Sequence, residues 1–293
     1  EFEKMKPLQS FNYQEGKVSG AVYGYNKKLN YLLHKLYPYF CQSNSLHTNL
    51  FPSIRKMEID IIKIMTHLFN GSPEVGGTFT SGGTESILLS CKAYRDKAYA
   101  EGIRKPNMIM SDTAHCAFIK AAKYFQIELR IIPSQKDYTY DLLELKKNID
   151  SNTVLVIGSA PNYNLGLIDP IQELSDICFP RNIGLHVDCC MGAFLVNFSE
   201  EIVDFRIEGV TSISTDLHKY GLTPKGSSVT LYRNRNLLKY QYFIDETWSG
   251  GVYATSTIAG SKNGNMVALS WATLMFKGLQ GYRDSYHKIG EVT

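Results

Sequence analysis

The chain has 293 residues, 44% of them hydrophobic and 20% charged, with 23 glycines, a balance that excludes collagen-like, low-complexity, disulfide-scaffold and disordered classes. Lys and Arg total 31 against 28 Asp and Glu and are scattered along the chain, so the charge does not suggest nucleic acid. No window approaches the roughly eighteen apolar residues of a membrane span, and no signal-peptide core opens the sequence, although a chain starting at Glu1 leaves room for an anchor upstream.

The first fifty residues are rich in Tyr, Asn and His, as in AVYGYNKKLNYLLHKLYPYF and SNSLHTNLF. They read as an irregular arm with one helix, spanning 1–53 and packed over the large domain or a partner chain. From Ile54 to Asn70, Met57, Ile61, Ile64, Met65 and Leu68 recur with a period near 3.6, which predicts an amphipathic helix capped by Ser53 and stopped by Gly71. Short apolar runs then alternate with helical ones: MIMSD, AHCAFIKAAKYF, ELRIIP, DLLELKKNI, VLVIGS, IQELSDICF, GLHVD, VTSIST and SSVTLY. Nearly continuous Val/Ile/Leu runs are what strands covered on both faces look like, so the fold class is α/β with a largely parallel sheet, spanning 54–276. The six cysteines, Cys41, Cys91, Cys116, Cys178, Cys189 and Cys190, form no CxxC pair and no zinc-type spacing with His. They are expected to be reduced thiols in a cytosolic compartment, with no metal.

Three segments carry chemistry. In TSGGTES, Thr80 to Ser86, Gly82, Gly83 and Thr84 precede a helix, where free backbone N–H groups and the helix dipole suit a phosphate. HVD, His186 to Asp188, closes an apolar strand and sets a carboxylate in the crevice where α/β sheets bind ligands. STDLHKYG, Ser214 to Gly221, places Lys219 at a strand end, where partial desolvation is expected to disfavour its ammonium form and make it a nucleophile toward carbonyls.

Taken in order, GGT, DTAH, HVD and HK resemble the aspartate-aminotransferase-type (fold type I) pyridoxal-phosphate enzymes and, within them, the group II decarboxylases. The blocks VSGAVY, SLHTNLFPSIRKME, FTSGGTESILLSCKAYRDKA, HVDCCMGAF, HKYG, PKGSS and WSGGVYATSTIAGS narrow the likeness to the sphingosine-1-phosphate lyase family, over roughly Gly16 to Ile289. The resemblance implies a mostly parallel seven-stranded sheet flanked by helices, with 277–293 opening a linker helix to an absent C-terminal small domain. It implies pyridoxal 5'-phosphate attached to Lys219, with Asp188 at its pyridine nitrogen and His115 stacked on the ring. Gly83, Thr84, His218 and, from a partner subunit, Gly260 and Ser261 would complete the cofactor site, while Tyr23, His47 and Lys225 would hold the substrate phosphate.

The implied reaction is carbon–carbon cleavage of a phosphorylated sphingoid base into a fatty aldehyde and phosphoethanolamine by a homodimer, in the cytosol or on the cytosolic face of the endoplasmic reticulum. An amino-acid decarboxylase and an inert cofactor-binding relative are the alternatives. Two departures stand out: Asn164-Leu165-Gly166 replaces the family's Pro-His-Gly, and Leu217 replaces a common Thr. They are expected to remove, respectively, a histidine and a hydroxyl from the cofactor's surroundings.

Overall fold

In a computed structural model, which describes residues 15, 18 and 20–291, the apolar runs pair side by side. The strands are β1 (Gly76–Thr80), β2 (Asn107–Ser111), β3 (Glu128–Ile132), β4 (Thr153–Ser159), β5 (Gly184–Asp188), β6 (Val210–Asp216) and β7 (Ser228–Tyr232), with a separate hairpin of β8 (Phe243–Asp245) and β9 (Tyr253–Thr255). The helices are α1 (Lys27–Phe40), α2 (Pro52–Leu68), α3 (Gly83–Ala100), α4 (Ala117–Phe125), α5 (Leu142–Asn148), α6 (Ile171–Cys178), α7 (Ala193–Val196), α8 (Arg235–Leu238) and α9 (Gly264–Gly290). The seven-stranded sheet has the order β1-β7-β6-β5-β4-β2-β3. Strand β7 runs antiparallel to both neighbours, and the other pairs are parallel.

Alternation along the strands divides the core into two layers. Ile109, Val156, Val187 and Ile213 face α2, α6 and α9, whereas Met108, Met110, Leu155 and Ile157 face α3 and α4. On β5 the second face carries His186 and Asp188 in place of apolar side chains.

Several local expectations shift. Helix α2 begins at Pro52 with Phe51 at its cap position, so Ser53 lies inside the first turn. The fixed φ of proline suits the first helical position, where its missing N–H costs nothing. Asn70 (φ 52°) and the Gly71 N–H, bonded to the Thr66 carbonyl at 2.8 Å, end the helix as the glycine suggests. Strand β1 and the β8–β9 hairpin were not legible, since glycine weakens a strand signal and three-residue strands fall below the pattern's length. Strand β3 pairs with β2 alone and leaves Glu128 and Ile131 exposed, so it is an edge strand, uncovered on one side.

Residues 1–14, 16, 17 and 19 of the expected arm, and 292–293 of the expected linker, lie outside the described residues. Among the described residues no helix is long and apolar enough to cross a membrane. All six cysteines are unpaired, with Cys91, Cys178, Cys189 and Cys190 buried.

Candidate active site

The carboxyl ends of β4, β5 and β6 open on a cavity of about 300 Å³ that the start of α3 also lines. Gly82 caps that helix with φ 147° and ψ 168°, and no side chain bonds its first turn. The leading N–H groups of α3 therefore lack helical partners where the dipole is positive. Glu85 folds back to accept the Ser81 N–H at 2.7 Å and the Ile258 N–H at 3.1 Å, fixing the loop on both sides. Gly83 is required by close approach: a Cβ there would sit 2.8 Å from Cys190 Sγ and 2.9 Å from Asp216 Oδ1.

Two carboxylates stand at neighbouring strand ends, Asp188 on β5 and Asp216 on β6. Asp188 Oδ1 accepts the Ser214 hydroxyl at 3.0 Å and the Cys190 N–H at 3.1 Å. Asp216 Oδ2 lies 3.1 Å from Lys219 Nζ and 3.6 Å from His218 Nε2. His218 Nδ1 accepts the Ser227 N–H, which leaves Nε2–H for the carboxylate. Burial alone would lower the Lys219 pKa, but Cys190, Asp216 and Asp188 raise it above the usual lysine value. The expectation that desolvation disfavours the ammonium is thereby corrected, because Cys190 and the two carboxylates together outweigh the loss of water.

His115 lines the wall, its Nδ1 accepting the Ala117 N–H at 3.1 Å and its ring edge-on to Tyr163 at 6.4 Å. Ser159 Oγ, Asn162 Nδ2 and Asp216 Oδ1 are buried without a hydrogen-bond partner, and all three residues line the cavity. Unpaired polar atoms beside a glycine cradle, a lysine and two carboxylates fit the phosphate, hydroxyl, ring nitrogen and aldehyde of pyridoxal 5'-phosphate.

Of the residues singled out by sequence, Gly83, Thr84, His115, Asp188, His218 and Lys219 meet at this cavity. Tyr23 and Lys225 pair beside it: Lys225 Nζ stands 4.5 Å above the Tyr23 ring and donates to the His218 carbonyl at 3.1 Å. Burial depresses the Lys225 pKa and raises that of Tyr23. His47, Gly260 and Ser261 are elsewhere. Ser261 Oγ accepts the Asn44 amide at 2.9 Å, Asn44 bridges to Asn263, and the His47 N–H donates to the Asn44 carbonyl at 3.1 Å. This patch borders a separate groove of about 1110 Å³ that Gly260 lines, and the cavity does not include it.

Sequence reasoning missed Asp216, Cys190, Ser159 and Asn162. Asp216 was within reach, since it ends a buried parallel strand as Asp188 does. The two departures lie outside the cavity: Leu165 is on an exposed turn, and Leu217 is fully buried in the core. Neither the 164–166 turn nor Leu217 is among the residues that line the cavity.

The pyridoxal-dependent decarboxylase conserved domain matches residues 28–293. Sphingosine-1-phosphate lyase 1 of Rattus norvegicus is 45% identical over 98% of this chain and 52% of its own length. The sphingosine-1-phosphate lyase of Saccharomyces cerevisiae is 44% identical over 94% of the chain and 49% of its length. Among solved structures, a Burkholderia pseudomallei sphingosine-1-phosphate lyase superposes with a TM-score of 0.94 at 36% identity, covering 98% of this chain and 69% of that one. The chain spans about half the length of the curated relatives it matches.

Proposed function

The chain belongs to the pyridoxal-dependent decarboxylase family, within its sphingosine-1-phosphate lyase branch, and on that premise we propose that it takes part in cleaving phosphorylated sphingoid bases into a fatty aldehyde and phosphoethanolamine. The observation that carries the reading is the Tyr23–Lys225 pair beside the Lys219 cavity. A hydroxyl and an ammonium beside the cavity suit a substrate phosphate, and among the described residues neither Arg nor Gln, the carboxylate-binding groups expected of a decarboxylase, lines the cavity.

The cofactor, when bound, supplies an electron-accepting ring held through its aldehyde by the Lys219 amine. Thr84 and the first N–H groups of α3 would bind its phosphate, His115 would stand against its ring, and Asp188 would hold a proton at the ring nitrogen. Asp216, at 3.1 Å, is the acceptor nearest to Lys219 Nζ, and it holds and releases the proton that the amine must lose to act as a nucleophile. Lys225 and Tyr23 anchor the substrate phosphate, which orients the bond between C2 and C3 toward the cavity.

A homodimer with shared sites completes the proposal. His47, Gly260 and Ser261 gather on a face with Trp248, Val252 and Ile258 exposed, away from the cavity they are expected to serve, and a second copy is what brings such a patch to a site. The arm at 1–53, the large domain at 54–276 and a linker from 277 follow the same reading, supported by Gly278, where φ 59° interrupts α9. A long-chain substrate favours a cytosolic or cytosol-facing membrane-surface setting.

The test is to load the purified chain with pyridoxal 5'-phosphate, supply either a phosphorylated sphingoid base or glutamate, and measure phosphoethanolamine and carbon dioxide. Phosphoethanolamine from the first substrate, absent in Lys219→Ala together with the visible cofactor band, is the expected result. Carbon dioxide from glutamate without aldehyde from the lipid overturns it. Light scattering at micromolar concentration reads the dimer.

A further inference from the structure

Asp188 is the near end of a buried hydrogen-bonded chain that the cofactor site does not account for. Strands β5 and β6 place His186 opposite Ser212 and Asp188 opposite Ser214, and all four side chains face α3 and α4. Ser214 Oγ lies 3.0 Å from Asp188 Oδ1, His186 Nε2 lies 3.1 Å from Ser214 Oγ, and His186 Nδ1 lies 2.8 Å from Ser212 Oγ. The Tyr94 hydroxyl, from α3, continues the chain at 2.8 Å from Ser212 Oγ and 2.6 Å from Thr211 Oγ1. His186, Ser212 and Ser214 have no exposed surface, and the Phe118 ring stands edge-on to the imidazole at 5.8 Å.

The chemistry of the groups fixes the direction of the protons between Ser212 and Asp188. An ionised Asp188 only accepts, so the Ser214 hydroxyl donates to it and must itself accept from His186 Nε2–H. Burial pushes the His186 pKa down to about 4, so the ring is neutral near pH 7 and its bare Nδ1 accepts the Ser212 hydroxyl. Burial likewise keeps the Tyr94 phenol protonated, and its one O–H faces both Ser212 Oγ and Thr211 Oγ1, whose own hydroxyl donates to the Leu185 carbonyl. The O–H and N–H dipoles thus point one way, toward the carboxylate, in a medium where they polarise one another and need no reorganisation. An imidazole buried between two serines is otherwise a poor choice beside Phe118, since leaving one of its nitrogens unpaired there is costly.

We infer that His186 and Ser214 are positioning residues that hold and aim Asp188, and through it set the protonation of the cofactor's ring nitrogen. The inference rests on the cofactor reading given above and deepens it.

The experiment loads the chain with pyridoxal 5'-phosphate labelled with ¹⁵N in the ring and records the nitrogen shift, the cofactor Kd and thermal unfolding for the wild type, Ser214→Ala, His186→Leu and His186→Gln. The wild type is expected at the pyridinium position. Ser214→Ala and His186→Leu move toward neutral pyridine with a Kd about tenfold weaker, the scale of one charge-assisted hydrogen bond. His186→Gln returns toward the wild type, because its amide donates to Ser214 and accepts from Ser212. Combining His186→Leu with Ser214→Ala adds nothing further, since both act through one bond. Ser214→Ala, which removes a single oxygen, keeps the test decisive if His186→Leu fails to fold. Cofactor uptake with an unmoved nitrogen in Ser214→Ala overturns the inference alone, whereas a wild-type chain that takes up no cofactor overturns the proposed function and the inference with it.

Discussion

Gly83→Ala tests whether the start of α3 is held against the two carboxylate strands as closely as the structure requires. At an unobstructed helical position the added methyl stabilises by up to about 1 kcal/mol. Here the new Cβ would lie 2.8 Å from Cys190 Sγ and 2.9 and 3.0 Å from the two Asp216 carboxylate oxygens. Both neighbours are buried, and Asp216 is tied to Lys219 at 3.1 Å, so neither gives way freely. Overpacking of this kind costs roughly 1–3 kcal/mol, leaving a net loss of up to about 2 kcal/mol. For a chain of this size that corresponds to a fall of about 2–4 °C in Tm per kcal/mol. Because the displaced group is the partner of Lys219, cofactor affinity should fall by at least about tenfold, or about 1.4 kcal/mol. Thermal unfolding without cofactor and titration of the visible cofactor band measure the two effects separately. Adding Cys190→Ala to Gly83→Ala removes one of the contacts and should recover part of both losses. A Gly83→Ala chain that melts no lower and binds cofactor equally well would refute the packing argument.

Asp216→Asn should lower the pH at which Lys219 takes up cofactor, since the ion pair is one of the interactions that raise its pKa; an unchanged onset in an absorbance titration tells against it. Lys225→Ala should lower kcat/KM for a phosphorylated substrate by about 10- to 100-fold, the value of a hydrogen bond to a charge, with cofactor Kd unmoved; equal loss of both would place the lysine in the cofactor site instead. Asp169, whose Oδ2 accepts the Ser159 N–H at 2.7 Å, is pushed by burial from 3.8 up to about 6. Its folded pKa exceeds its unfolded one, so its contribution is fully present below about pH 4 and is lost as pH rises through about 6, roughly 3 kcal/mol in all. Asp169→Asn should therefore be more stable than the wild type at about pH 7 and lose most of that advantage by about pH 4.5, as read by urea midpoints; a constant difference would contradict the burial argument.

The α/β class, the helix from about Ile54, the strand end bearing Asp188 and the turn just past β6 bearing Lys219 were legible because each depends on local properties. These are a period of 3.6, a run of apolar residues between turns, and a carboxylate or lysine closing such a run. The same patterning hid β1, whose Gly76 and Gly77 carry no strand signal and whose place is set by pairing with β7. It also made β3 look covered on both faces, since burial at an edge depends on which strand lies beyond it.

The residue types and order of the site were determined by the sequence alone: a glycine turn before a helix, then His115, Asp188, His218 and Lys219. Only the tertiary structure decided how they combine. Pairing β5 with β6 brings Asp188 and Cys190 to Lys219, where together with Asp216, three residues before it, they reverse the expected sign of its pKa shift, because the field at a lysine depends in part on groups that arrive from other strands. The β5–β6 register alone aligns His186 with Ser212 and Asp188 with Ser214, so a hydrogen-bonded chain runs across the sheet that neither strand spells out. The same packing sends Gly260, Ser261 and His47 to a different face from the cavity. Side-chain chemistry travels with the sequence, whereas distance between segments far apart in the chain is set only when the sheet closes and the helices bury its faces.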